Sequence, residues 1–503
     1  NNSILIKNAL KMRWWWSSCG TSSVQPEIVN FYWTPWKNSL ITDSLPTITS
    51  VADDDLRAAG IDPSVLGNSV QPVSLRESNT NGSLNKETKL KKNFKVWSTG
   101  LLNQMTDKNF SSSHKMKVAN HFEFHQHLSK KKLLFLNLRA YSECTSSECM
   151  NNIPKTYLIQ KGLEDDQYHL FTQEFERYAS GQTDGRHRNI WIVKPAENSN
   201  RGVGIRVFDQ IREISDWITK QRANLNGKKF IVQKYIENPL LYRGRKFDVR
   251  CFVLVTSVHG NIQAYWYKDG YLRTSSKEFS LGSTSNRLIH LTNDAVQKKA
   301  DDYGKFEPGN KLSYSEFQKY LDSAYPGRNI NFTESIVTQF KLLASHSVRS
   351  TFAKLNPYKR MNCFEVFGYD FMIDEQFKPY LIEVNTNPCL ELSSAYLAHL
   401  IPAMLENTLR IAVDPLFPPP RWPPNKRQTP IDYSIDNKFE SIFNQINEGE
   451  NLLTLLKTRK VMVCQEDLNE SDEEETVPTP DEQSSFPPGL FFSRSVSFCF
   501  HRW

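Results

Sequence analysis

Two carboxylates set opposite each other inside an apolar hairpin are the most specific chemical signal in this 503-residue sequence. Phe364–Ile373 and Tyr380–Asn385 read as two β-strands joined by Asp374-Glu375-Gln376-Phe377-Lys378-Pro379. A turn centred between Gln376 and Phe377 places Asp370 opposite Glu383, with Asn385 two residues further along the same face. Directly opposed residues of an antiparallel pair lie about 4.5–5.5 Å apart. Carboxylates this close among Phe, Tyr, Met and Ile repel and are costly to desolvate unless a cation lies between them. All-oxygen donors favour Mg²⁺, which keeps waters and takes further ligands from substrate phosphates. Removing either carboxylate is expected to relieve that repulsion in the metal-free protein. A surface hairpin with both groups in water is the plain alternative.

Three further segments carry groups suited to a phosphorylated ligand. Ile190–Lys194 is a β-type run ending in a lysine, followed by a polar loop with Arg201, Gly202 and Gly204 and a second β-type run, Ile205–Phe208. Glycines let backbone N–H groups approach phosphate oxygens, and Lys194 adds positive field. The loop is neither GxxxxGK[ST] nor GxGxxG, and an ordinary glycine-containing hairpin would read the same way. Phe230–Ile236 is strand-like; its Gln233, Lys234, Tyr235 and Ile236 are placed to offer backbone groups to an adenine edge, although a buried strand needs no ligand. In Lys246–Val255, alternation points Lys246, Asp248 and Arg250 one way and Phe247, Val249 and Cys251 the other, after which both faces become apolar. Such a strand either aims its charges at a ligand or carries ion pairs on an exposed face.

These segments need a framework, and composition shows where it lies. Residues 1–95 are rich in Ser, Asn and Thr and read as weakly folded, apart from an aromatic run at Phe31–Trp36 suited to packing on a neighbour. From 96 to 416 apolar residues are dense, with helical spacing near 205–223, 313–323 and 333–355 between β-rich runs, an α+β body divisible at about 160 and 245 into N-terminal, central and C-terminal lobes. The prolines at 415–420 mark its expected end. In 417–503 a Pro-rich linker leads to an amphipathic helix over 435–462 and an acidic run, Glu466–Glu475.

Composition excludes several classes. Apolar residues make up 39% and charged residues 23%, too hydrophobic for a wholly disordered chain. No apolar run approaches the roughly 18 residues of a membrane span, and no convincing signal peptide is present, so a cytoplasmic location is expected. The 8 cysteines show no CxxC pair and read as reduced thiols. A net charge of +7 suits an acidic partner: a nucleic acid, an anionic membrane or a Glu-rich peptide.

Taken together, "VKPAENSNRGVGI", "QKYI", "RKFDVR", "GYLRTSS", "HLTNDAVQKK", "FGYDFMID" and "LIEVNTNP" resemble the tubulin tyrosine ligase-like family of ATP-grasp ligases over about residues 120–415. That resemblance implies ATP- and Mg²⁺-dependent joining of a free amino acid to the acidic C-terminal tail of tubulin in microtubules, through an acyl phosphate. It implies that Lys194, Arg201, Gly202 and an upstream lysine hold phosphates, that Gln233–Ile236 hold adenine, and that Lys246 and Asp248 hold the nucleotide. The upstream lysine reads as Lys131, with Lys130 and Lys132 as register alternatives. Arg250 would steady the acyl phosphate, Arg273 bind the incoming amino acid, Thr292 and Asn293 line their boundary, and Asp370, Glu383 and Asn385 hold the metal. The donor reads as glutamate or tyrosine, with glycine third, because "EVNTNPCLE" resembles the glutamylase and glycylase group while "GYLRTSS" looks like the tyrosine ligase. Asp294 stands where glutamylases carry Tyr.

The cytoskeleton, and with it the cilium or basal body, is the implied location. Neither a nucleic acid nor a membrane is an expected partner. The competing reading is a catalytically silent microtubule-binding relative. Basic residues including Arg243, Arg245, Lys298, Lys299 and the 86–95 lysines are expected to attract the acidic tail.

Overall fold

The computed structural model describes residues 2–13, 15–19, 29–34, 37–45, 47, 116–182, 188–196, 204–224, 229–258, 260–417, 436–458 and 498–502. Its strands, in chain order, are β1 (Trp16–Cys19), β2 (Phe31–Trp33), β3 (Val118–Ala119), β4 (Thr156–Ile159), β5 (Trp191–Pro195), β6 (Arg206–Phe208), β7 (Phe230–Lys234) and β8 (Leu241–Tyr242). They continue with β9 (Arg245–Val258), β10 (Asn261–Tyr267), β11 (Tyr271–Glu278), β12 (Lys311–Ser313), β13 (Cys363–Ile373), β14 (Pro379–Asn385), β15 (Phe439–Asn444) and β16 (Phe498–Arg502). The longer helices are α1 (Asn2–Lys11), α2 (Lys131–Thr145), α3 (Asp166–Ala179), α4 (Ile211–Asn224), α5 (Tyr314–Ala324), α6 (Thr338–Leu355), α7 (Ala395–Ala412) and α8 (Gln445–Thr458).

β9 shows how the sequence builds the large sheet. Val249, Cys251, Val253 and Val255 enter one core with Phe340, Ala344 and Val348 of α6 and Leu134 and Leu138 of α2. Phe252 and Leu254 enter a second core with Leu400, Ile401 and Met404 of α7 and Ile6 and Leu10 of α1. A strand apolar on both faces is what a sheet covered by helices on both sides requires. The sheet runs β1-β16-β2-β3-β13-β9-β10-β15, with β14 beside β13, β8 and β11 beside β9, and β12 beside β11. A separate four-stranded sheet, β4-β7-β5-β6, packs Phe171 of α3 and Ile214 and Trp217 of α4 against Trp191 and Phe230. The fold is α+β. Local signals place its helices: α3 starts at Asp165, whose side chain accepts from Gln167 N–H, and α5 at a capping box between Ser313 and Glu316.

The chain ends depart from the expected pattern. Within 1–95, α1, β1 and β2 are formed, and Phe31–Trp33 is a strand of the main sheet. Composition missed this because a three-residue strand has no readable periodicity and Arg13, buried between Asp414 and Glu406, ties the segment to the far end of the chain. The fold also resumes after the prolines. The span expected to be one helix over 435–462 contains β15, antiparallel to β10, and only then α8. The 86–95 lysines and the acidic run lie outside the described residues.

Candidate active site

The β13–β14 hairpin positions the two acids as the sequence predicts, by a slightly different route. The Asp374 carboxylate accepts from Gln376 and Lys378 N–H, both at 2.9 Å, and folds the connection into a tight turn. Phe371 pairs with Leu381, so the register starts one residue off the predicted centre. A bulge at Ile382 then restores Asp370 opposite Glu383, and Gly368 opposite Asn385. Glycine is needed at 368, where a Cβ would lie 2.9 Å from Pro388 and 3.2 Å from the Arg250 guanidinium.

The expected repulsion between the acids is not what the structure contains. Arg250 donates to both Asp370 oxygens, at 2.5 and 3.1 Å, and Arg273 lies 2.8 Å from Asp370 Oδ2. Lys131 Nζ sits 2.9 Å from Glu383 Oε2. Periodicity reveals which groups share a face but not which distant cations reach them. Asn385 Nδ2 bridges the pair, 3.1 Å from Asp370 and 3.2 Å from Glu383. Burial opposes ionisation of Glu383, yet Lys131 and Lys194 hold it well below the usual carboxylate range. At Asp370 burial prevails over Arg250 and Arg273 and raises the carboxyl.

The hairpin floors a cleft between the two sheets. The small sheet contributes Lys194, Gln233, Lys234, Tyr235 and Ile236; the large sheet contributes Lys246, Asp248, Arg273, Asp370, Glu383 and Asn385. Lys131, Thr292 and Asn293 complete the predicted lining. Among the register alternatives, Lys131 lines the cleft, whereas the Lys132 ammonium lies 3.3 Å from Gln160 Oε1. Lys131 opens α2, at the positive end of the helix dipole, an unfavourable place for a lysine without an anion to meet. Arg250 is absent from the lining and lies behind Asp370. Arg201 and Gly202 fall outside the described residues.

Lys194 Nζ donates to Gln233 Oε1 at 2.7 Å, and Gln233 Nε2 to Thr156 Oγ1 at 2.8 Å. Lys246 donates to the Tyr235 hydroxyl at 2.8 Å and the His290 carbonyl at 3.0 Å. Burial pushes Lys194 down to about 8, aided by Lys131 and opposed by Glu383; it pushes Lys246 down to about 7, opposed by Asp248. Asp248 is taken by Arg273, at 2.6 and 2.8 Å, and by the Thr292 hydroxyl. The Lys234 ammonium turns away to Glu237, so only the remainder of that residue faces the cleft. Sequence reading missed Ile192, Met372 and Ile382, which add apolar lining, and His290. Ile192 and Met372 lie two residues from Lys194 and Asp370, so strand alternation carried a signal for both.

Cations outnumber carboxylates around the cleft, as a polyanionic ligand needs. Asp370 and Glu383 offer carboxylate oxygens and the Asn385 amide, turned so that its oxygen replaces Nδ2, a third, the type Mg²⁺ takes and too few to fill six positions without waters or phosphate oxygens. Among the described residues no group of three His, Cys, Asp or Glu is placed to hold a metal ion by itself.

Two sheets facing across such a cleft define an α+β architecture of the ATP-grasp kind. The model of the tubulin-tyrosine ligase family matches residues 110–421, and the chain belongs to that family. Relatives include the probable tubulin polyglutamylase TTLL9 of Mus musculus, 32% identical over 330 residues, covering 58% of this chain and 67% of the relative. The probable alpha-tubulin polyglutamylase Ttll1 of Tetrahymena thermophila is 29% identical over 352 residues, covering 66% and 80%. Tubulin glycylase 3D of the same organism is 40% identical over 230 residues, covering 45% of this chain but 21% of its own length.

Proposed function

We propose that this chain is an ATP- and Mg²⁺-dependent ligase that joins glutamate to the acidic C-terminal tail of tubulin through an acyl phosphate. The observation that carries this reading is the Asp370–Glu383–Asn385 hairpin facing Lys131, Lys194 and Lys246 across one cleft. Lys131 and Lys194, with the Arg201–Gly202 loop, hold phosphates. Residues 233–236 present backbone groups to the adenine edge while Ile192 and Met372 cover its faces. Asp370, Glu383 and Asn385 would hold Mg²⁺, which when bound supplies charge neutralisation at the phosphates. Arg273, anchored by Asp248, binds the carboxylate of the incoming amino acid, with Thr292 and Asn293 at its boundary with the nucleotide. Arg250 supports the reaction centre through Asp370.

Glutamate leads because relatives carry the name polyglutamylase; a glycylase at 40% identity makes glycine the second reading. Asp294, the position at odds with glutamylases, is paired with Lys311, whose side chain is fully buried. An enzyme acting on tubulin would work at the cytoskeleton, and the cilium or basal body is the finer proposal. No helix among the described residues is long and apolar enough to cross a membrane. Incubation with ATP, microtubules and one labelled amino acid at a time tests the reading. Glutamate should label tubulin, and no incorporation of any amino acid would defeat it.

Two expectations follow from charge. Burial lowers the proton affinity of Lys194 and Lys246, and polyphosphate favours the charged forms, so ATP binding near and above neutral pH should take up protons. The protonated lysines are lost as pH rises through about 7 and 8, so the ATP dissociation constant should grow at least about tenfold between about pH 7 and pH 9. Calorimetry in buffers of different ionisation enthalpy reads both quantities, and a pH-independent constant would contradict the assignment.

The second concerns capture of the acidic tail. Exposed Arg243 and Lys299 remain candidates for it, but Arg245 is buried against Glu307 and Lys298 is paired with Glu391. Exposed charges are screened beyond about 8 Å at physiological ionic strength. Added salt should therefore raise the KM for microtubules several-fold and alter kcat much less. A salt-independent KM would refute electrostatic capture.

A further inference from the structure

Glu365 lies on the same strand as Asp370, outside the cleft, and is only 1% exposed. Its carboxylate accepts from Phe122 N–H at 3.0 Å, lies 3.1 Å from His121 Nδ1 and accepts the Thr386 hydroxyl. The other nitrogen of His121, Nε2, lies 2.9 Å from the carbonyl of Thr34, just beyond β2. Asn120 holds that peptide from both sides, donating to Thr34 O and accepting from Thr34 N–H, each at 2.8 Å.

Nε2 of His121 faces both the Thr34 carbonyl, at 2.9 Å, and the Asn120 amide nitrogen, at 3.3 Å, while Nδ1 faces Glu365. Burial alone would raise Glu365, but His125 and His121 hold it below the ordinary carboxylate value, so the carboxylate is charged. Thr386, its third partner, directly follows Asn385, the residue whose amide spans Asp370 and Glu383. The connection after it is seated on the same strand, where Pro388 packs against Gly368.

We infer that Glu365 is a positioning residue: clamped by His121 and Phe122, its carboxylate fixes Thr386 and thereby holds Asn385 in register with Asp370 and Glu383. The inference rests on the metal reading of that hairpin. It also gives Thr34, which lies outside the matched family region of 110–421, a place in the support of the site. Hydrogen-bond partners one step behind a metal ligand typically change metal affinity or activity by about 10–100-fold when removed.

The test uses the full chain with Thr386→Val, which keeps shape but loses the hydroxyl, Thr386→Ser, which keeps the hydroxyl, and Glu365→Gln. ATP affinity is measured by calorimetry with and without Mg²⁺, alongside thermal melting and steady-state kinetics. Thr386→Val should lose about tenfold of the gain in ATP affinity that Mg²⁺ confers and lower kcat at unchanged KM for tubulin. Its affinity for ATP without Mg²⁺ should match wild type, and Thr386→Ser should restore the Mg²⁺-dependent gain. Glu365→Gln should reproduce the Thr386→Val pattern; if it fails to fold, the two Thr386 variants decide alone. A full Mg²⁺-dependent gain in Thr386→Val, beside the same gain in wild type, would overturn the inference and leave the metal reading intact. A wild type with no such gain would overturn both.

Discussion

Glu383→Gln should abolish ATP-dependent ligation, lowering turnover at least about 10²-fold, while melting close to wild type. Glutamine keeps an oxygen at the same place and removes the charge that makes the site attractive to Mg²⁺. The Glu383 side chain is 27% exposed and its Lys131 partner 18% exposed, so the lost ion pair is partly in water, and buried Lys194 loses only a neighbouring charge and keeps its hydrogen bond to Gln233. Asp370 behaves differently. Asp370→Ala leaves Arg250 and Arg273 buried without their shared carboxylate, a kind of loss that costs about 3–5 kcal/mol. The opposite expectation, that either deletion relieves repulsion, follows from the sequence alone and fails because three cations already neutralise the pair. Steady-state rates beside thermal melting separate the two variants. Wild-type turnover in Glu383→Gln would remove the metal assignment, and an unshifted melting temperature in Asp370→Ala would refute the buried ion-pair account.

Lys194→Met should move ATP affinity and stability in opposite directions. The ammonium is buried, with Gln233 Oε1 as its hydrogen-bond acceptor and Lys131 as a like-charged neighbour, and burial has already lowered its proton affinity. Methionine keeps the apolar stem and removes the desolvated charge, so the melting temperature should hold or rise. ATP binding should weaken roughly ten- to a hundredfold, the range for losing a hydrogen bond to a charged group. Fluorescence titration with an ATP analogue and a thermal melt read both effects. Unchanged affinity would show that Lys194 meets no phosphate, and a large fall in melting temperature would show that it serves the fold.

Local pattern explains which parts of this site were readable in advance. The hairpin register follows from apolar alternation and a polar turn, and the charged face of β9 follows from strict period-two order between Lys246 and Arg250. Pairings between distant segments carry no such signal. Arg245 reads as a surface cation, yet it is buried with Glu307, 62 residues away. His121 and Glu365 are 244 residues apart, and neither stands in a recognisable spacing. Arg250 reads as facing the ligand because it alternates with Asp248, but its guanidinium is folded onto Asp370 and over Gly368. The cleft's ionic groups were thus visible as residue types, while their states of compensation depend on contacts that only the folded chain defines.

An acyl phosphate leaves an isotopic signature in the released phosphate. If ATP phosphorylates a carboxylate before the amine attacks, one oxygen of that carboxylate must leave with inorganic phosphate. Tubulin-tail peptide carrying ¹⁸O in its side-chain carboxylates is incubated with the protein, ATP, Mg²⁺ and glutamate, and the released phosphate is analysed by mass spectrometry. One ¹⁸O should appear in the phosphate for each amide bond formed on a labelled side chain, with no transfer in Glu383→Gln. Ligation onto a labelled side chain with only unlabelled phosphate released would rule out the acyl phosphate.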